Sequence, residues 1–119
     1  MVKKASLIFL LFFTFSLWAQ LSVQERTAET MVLAGEAQRK GDWVGVIKAA
    51  RFLLHWGEKA YVKKCLEMAE PLVIAKYSPA GALQMAGIYK KMKNFPKERY
   101  WMDIYFRFKA REKRIWQKK

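Results

Sequence analysis

Apolar residues along the chain recur with a helical period, in blocks separated by short polar breaks. Trp43, Val46, Ile47, Ala50, Leu53 and Leu54 stand at i, i+3, i+4, i+7, i+10 and i+11, the spacing of one stripe on a helix. Ala82, Met85, Ala86, Tyr89 and Met92 form a second stripe, and Trp101, Ile104, Tyr105, Phe108 and Ile115 a third. Tyr61, Cys65, Met68, Ala69 and Leu72 predict a helix from about Glu58. Pro71 lies inside it, so the chain either kinks there or leaves the helix near Glu70 and continues as a turn to Lys76.

The breaks carry helix stop and start signals. Ser22-Val23-Gln24-Glu25 fits a capping box opening a helix that runs to about Lys40, because the serine can accept from a backbone N–H while the glutamate reaches back to the Ser22 N–H. Gly41 ends that helix and Asp42 can cap the next; Trp56-Gly57 closes the second. Ser78-Pro79 is a strong restart and Asn94 can cap the last helix, with Pro96 in its first turn. The expected fold is therefore all-α, with about five helices joined by short connections that make neighbours antiparallel.

The N-terminus differs from the rest. Lys3 and Lys4 precede an apolar run from Ala5 to Trp18, followed by Ala19 and Gln20. This order of positive end, apolar stretch and small residue is that of an export signal. Residues 1–19 are read as the signal and 20–119 as a single helical domain; an uncleaved anchor over residues 5–23 is the alternative. Either way the domain is expected to be exported, periplasmic or secreted, since the lysines hold the N-terminus on the cytoplasmic side.

Charge narrows the class of partner. The 119 residues carry 23 basic and 10 acidic side chains, a net of +13. Without residues 1–19, which hold two lysines and no acid, the net is +11. A field of this sign favours anionic partners, and for an exported chain an acidic protein, a lipid headgroup or an envelope polymer is nearer than nucleic acid.

Candidate chemistry is sparse. His55 is the one histidine and Cys65 the one cysteine, too few for the usual structural zinc sets. His55 reads as a helix-end residue meeting carbonyls. Cys65 reads as a small buried hydrophobe, with an intermolecular disulfide as the sharper option. Glu67 and Glu70 form a close acidic pair, with Lys63 and Lys64 within i, i+4 reach of Glu67, which reads as ordinary surface ion pairing. No cofactor and no catalysis are expected, which leaves binding.

Two segments echo each other, AGEAQRKGDW from Ala34 and AGIYKKMKNF from Ala86, 52 residues apart. Each has an Ala-Gly pair, a basic or polar run, a tight turn and an aromatic opening the next helix. Small residues would let two helices approach and the turn would reverse the chain. Through Leu33, Ala34, Ala37, Gly41, Asp42 and Trp43 in one copy, and Ala86, Tyr89, Asn94 and Phe95 in the other, the sequence resembles the tetratricopeptide-repeat family.

The resemblance implies a short solenoid of helical hairpins; an irregular five-helix bundle is the alternative. Val46, Glu98, Leu53 and Tyr105 stand where that family prefers alanine, and 52 residues exceeds its 34-residue unit. The surplus would be an extra or decayed helix between Glu58 and Lys76. In the family the first helix of each hairpin lines an inner groove, which places Gln38, Arg39, Lys90 and Lys91 toward an acidic protein partner. Leu83 and Gly87 stand where its carboxylate-binding set needs polar side chains, so no ligand identity carries over.

A second candidate surface is the C-terminal run. Arg107, Lys109, Arg111, Lys113, Arg114, Lys118 and Lys119 surround Phe108 and Trp116. Basic residues with interleaved aromatics suit an anionic lipid or polymer surface. They also suit nucleic acid and, equally, a solvated helix end where cations complement the dipole.

Overall fold

The computed structural model describes residues 22–117. The segment 1–19, expected to be an export signal, and the final residues Lys118 and Lys119 lie outside the described residues. Within them the chain is all-helical: α1 (22–39), α2 (Trp43–His55), α3 (Lys59–Lys76), α4 (Pro79–Lys91) and α5 (Phe95–Gln117). Ser22 is already helical at the first described position, which is not the half-outside position of a capping residue.

Four turns join the five helices, and all four have one geometry. In each, a single residue takes the left-handed conformation: Gly41, Gly57, Tyr77 and Lys93, with φ of 71°, 76°, 50° and 60°. The N–H of the following residue then donates back five positions: Asp42 to Ala37, Glu58 to Leu53, Ser78 to Val73 and Asn94 to Tyr89, at 2.8 to 3.3 Å. The left-handed residue itself donates back three positions, completing a Schellman motif that satisfies the last carbonyls of each helix. Asp42, Ser78 and Asn94 accept from the N–H three residues on, at Gly45, Gly81 and Lys97. Glu58 makes no such side-chain bond.

These turns set a spacing of 36 residues. Gly41 and Tyr77 are 36 apart, and so are Gly57 and Lys93. Helix lengths follow the same alternation, with α2 and α4 of 13 residues each around the 18-residue α3. A third feature recurs at this offset. A Cβ on Gly45 would lie 2.8 Å from Ala37 Cβ, and one on Gly81 would lie 2.9 Å from Val73 Cγ1. These two glycines mark the crossings of α1 with α2 and of α3 with α4, where the backbones come too close for a side chain.

The 52-residue echo therefore compares the first turn with the fourth, and its Ala-Gly pairs do not have the role expected of them. A Cβ at Gly35 or Gly87 would meet nothing within 4 Å. Ala34 and Ala86 are buried, but Phe95 is 57% exposed and closes nothing. Helix α3 falls into the 36-residue alternation as a long helix followed by a short one.

The core lies between successive helices. Helix α2 packs along α3 and touches α4, and α4 packs along α5. Met31 of α1 meets Cys65 of α3, with the two sulfurs 3.8 Å apart. The stripes of α2 and α4 are buried as expected, at Val46, Ile47, Ala50 and Leu53 and at Ala82, Met85, Ala86 and Tyr89. Because α1 and α2 both approach α3, its inward face is rotated from the expected one: Val62, Leu66 and Val73 join Cys65 and Ala69, while Tyr61 is exposed. Pro71 does not break α3. It sits on the exposed side, where water can take the carbonyl it leaves unbonded.

Helix α5 is longer than what it rests on. Its 23 residues span about 35 Å against about 20 Å for α4. Trp101, fully buried, and Ile104 fill the supported half. Ile115, expected on the buried side, is 51% exposed because the support has ended. Tyr77 also packs against α5: its ring is edge-on to Phe108 at 5.6 Å and lies 3.5 Å beneath the Arg111 guanidinium, a cation–π contact.

Candidate functional site

Three concave regions carry the surface chemistry of the described residues. The first lies between α2 and α4 and has a volume of about 710 Å³. Arg51 and His55 line it from α2 and Lys91 from α4, around Leu54, Leu83 and Ile88. The left-handed turn at Gly57 ends α2 just past His55, so the imidazole stands at a helix C-terminus, where a cation meets the negative end of the dipole.

Of the four residues expected in a basic groove, Lys91 is in this cleft. Lys90 is exposed on α4, and Gln38 and Arg39 are exposed at the end of α1. Arg51 and His55, which sequence reasoning did not place with Lys91, join it because α2 and α4 run side by side. The 36-residue offset superposes His55 on Lys91 but Arg51 on Gly87, so it carries no signal for the cleft as a whole.

The second region follows α5. Arg107, Arg111 and Arg114 line a cleft of about 530 Å³ with Tyr77, Phe108 and Ile115, since i, i+4 and i+7 fall on one side of a helix. Lys109, Lys113 and Trp116 border a separate depression with Glu112. The basic run expected to act as one surface is thus divided into two faces of one helix. Lys118 and Lys119 lie outside the described residues.

The third region was not foreseen. A cleft of about 500 Å³ runs between α1 and α2, with Leu33, Ala37, Ala49, Phe52 and Trp56 along its floor. Phe52 stacks on Trp56 at 5.9 Å, yet it is 56% exposed and Leu33 is 62% exposed. Arg26, Glu29, Glu36, Lys40 and Lys48 form the rim.

Buried ionisable groups are few. Burial pushes the Cys65 thiol up to about 11, so it stays protonated at neutral pH, the opposite of an activated nucleophile. With no exposed surface, Cys65 is a core residue, and an intermolecular disulfide would require α3 to leave α1. The Tyr89 hydroxyl is raised by burial first, then by Glu70 and Glu67. Among the described residues no group of three histidine, cysteine or acidic side chains could hold a metal ion, and no helix is long and apolar enough to cross a membrane. Comparison of the chain with protein families, with curated proteins and with solved structures gave no match.

Proposed function

We propose that this chain is an exported, non-catalytic protein–protein interaction module of tetratricopeptide-like hairpin architecture, an adaptor or assembly factor at the cell envelope. The observation that carries this reading is the recurrence, 36 residues apart, of the turn geometry and of the tight glycine crossing. Helical-hairpin repeats build extended binding surfaces from such units. The partner-binding surface is the basic cleft of Arg51, His55 and Lys91, which suits an acidic segment, and the net positive field speeds that encounter.

The test is capture of a partner by the full chain crosslinked in an envelope fraction. A reproducible partner lost on Arg51→Glu with Lys91→Glu supports the reading. No partner above the level of an unrelated basic protein overturns it.

One observation favours a second reading, an anionic lipid or polymer binder. The cationic end of α5 is exposed, with Arg107, Arg111 and Arg114 on one face and Lys109 and Lys113, beside Trp116, on another. Flotation with vesicles separates the two readings. Binding that requires anionic lipid and disappears when residues 107–119 are deleted favours this one.

A further inference from the structure

The open α1–α2 cleft has a counterpart inside the same chain, 36 residues later. Arg26, Glu29, Leu33 and Phe52 of the first hairpin correspond to Val62, Cys65, Ala69 and Ile88 of the second. In the second hairpin all four are buried, with exposures of 2% or less. What covers them is the preceding hairpin: α2 lies against both α3 and α4, and Met31 meets Cys65. The face that holds a helix in the second copy is open in the first.

Its composition separates two explanations. A face that merely terminates a stack of hairpins should be polar, as end units of repeat proteins are. Here the rim is charged but the floor has kept Leu33, Phe52 and Trp56, an apolar centre with a polar border, which is the anatomy of a surface that is alternately wet and covered. A permanently covered face would not need the charges that replace Val62 and Cys65.

We propose that the α1–α2 cleft is the seat of an amphipathic helix of a partner protein, held as α2 is held against α3 and α4. The proposal rests on the interaction-module reading and adds a docking surface to it. The occupant's chemistry follows from its counterpart: about three and a half turns, as in the 13-residue α2, with apolar residues at i, i+3, i+4, i+7, i+10 and i+11. Charge complementarity completes it. Arg26, Lys40 and Lys48 on the rim call for acids, and Glu29 and Glu36 on α1 for bases.

The probe is a labelled synthetic 13-residue peptide that keeps the α2 apolar spacing of Trp43, Val46, Ile47, Ala50, Leu53 and Leu54 and carries glutamates and lysines at its polar positions, titrated against the full chain in neutral detergent and read by fluorescence anisotropy. Saturable binding is expected, weakened at least tenfold by Leu33→Glu or Phe52→Glu and unchanged by Phe106→Glu, an exposed site on α5 away from the three clefts. All three substituted positions are exposed, so circular dichroism should show an unaltered fold. A peptide that does not bind, or that binds equally to the Phe52→Glu chain, overturns the proposal. Two other results also overturn it: a dimer in sedimentation that Phe52→Glu dissociates, which makes the occupant a second copy, or crosslinking of position 52 to residues 1–21 of the same chain. A captured partner that tolerates Phe52→Glu leaves the interaction function standing and removes this site. Failure to capture any partner removes the function first.

Discussion

The hairpins α1–α2 and α3–α4 have the same turns and the same glycine crossing, yet one leaves open the face that the other buries. Backbone features recur because they solve a local problem: ending a helix, reversing the chain, letting two axes approach. Side chains on the packing face answer a different question, namely what lies on top. Where α2 lies on top, Val62, Cys65, Ala69 and Ile88 are apolar or small. Where the described chain supplies no covering helix, Arg26 and Glu29 appear beside a residual apolar floor.

The strongest way to break this comparison is a charge at matched positions. Ile88→Glu should cost at least about 3 kcal/mol by urea melt, since it places a carboxylate in the core. Phe52→Glu should stay within about 0.5 kcal/mol of the parent, as for an exposed surface site. Equal losses would mean that the two faces are equally covered.

Next in size are the crossings. Gly45→Ala and Gly81→Ala each force the helices apart, a steric cost of about 1–3 kcal/mol that outweighs about 1 kcal/mol of helix propensity. Gly45 should be the worse, because Ala37 Cβ cannot rotate away whereas the Val73 methyls have some freedom. Thermal melts of the two variants would rank them.

Caps come third. Asp42→Ala and Ser78→Ala should each lose about 1 kcal/mol, and Glu58→Ala should lose little, because Glu58 makes no side-chain cap bond. The smallest effect is at the left-handed pair. Lys93→Gly should gain about 0.5–1 kcal/mol by relieving a conformation costly for residues with a Cβ. Gly57→Lys should lose a similar amount, and a calorimetric Tm for each distinguishes the directions.

The sequence reveals where all four turns lie but hides the left-handed residue in two of them. Asp42, Ser78 and Asn94 are legible because their side chains compete for backbone N–H groups. Gly41 and Gly57 are legible because glycine enters the left-handed region freely. Tyr77 and Lys93 carry no local signal for that conformation, and without them the 36-residue spacing disappears and a 52-residue coincidence takes its place. The face of α3 was misjudged for a tertiary reason: α1 and α2 both reach it, and no stripe on α3 records the direction of their approach. The stripes of α2 and α4 were legible because each lies between two neighbours on one side. As for the sites, Lys91 could be named through the resemblance to a helical-repeat family, but Arg51 and His55 join it only through the side-by-side placement of α2 and α4. The apolar floor of Leu33 and Phe52 is invisible in a stripe analysis, since both fall outside the stripes that form the core.

The matched turns at Gly57 and Lys93 bear on how such a chain can change its length. Both end a short helix and begin a long one, with the same backbone hydrogen bonds and φ of 76° and 60°. Residues 58–93 thus form a segment whose two ends are interchangeable joints. A second copy inserted after Lys93 would meet α4 as α3 meets α2, so the chain could grow by whole units without designing a new junction. Gene duplication could exploit that property, and so could an engineer.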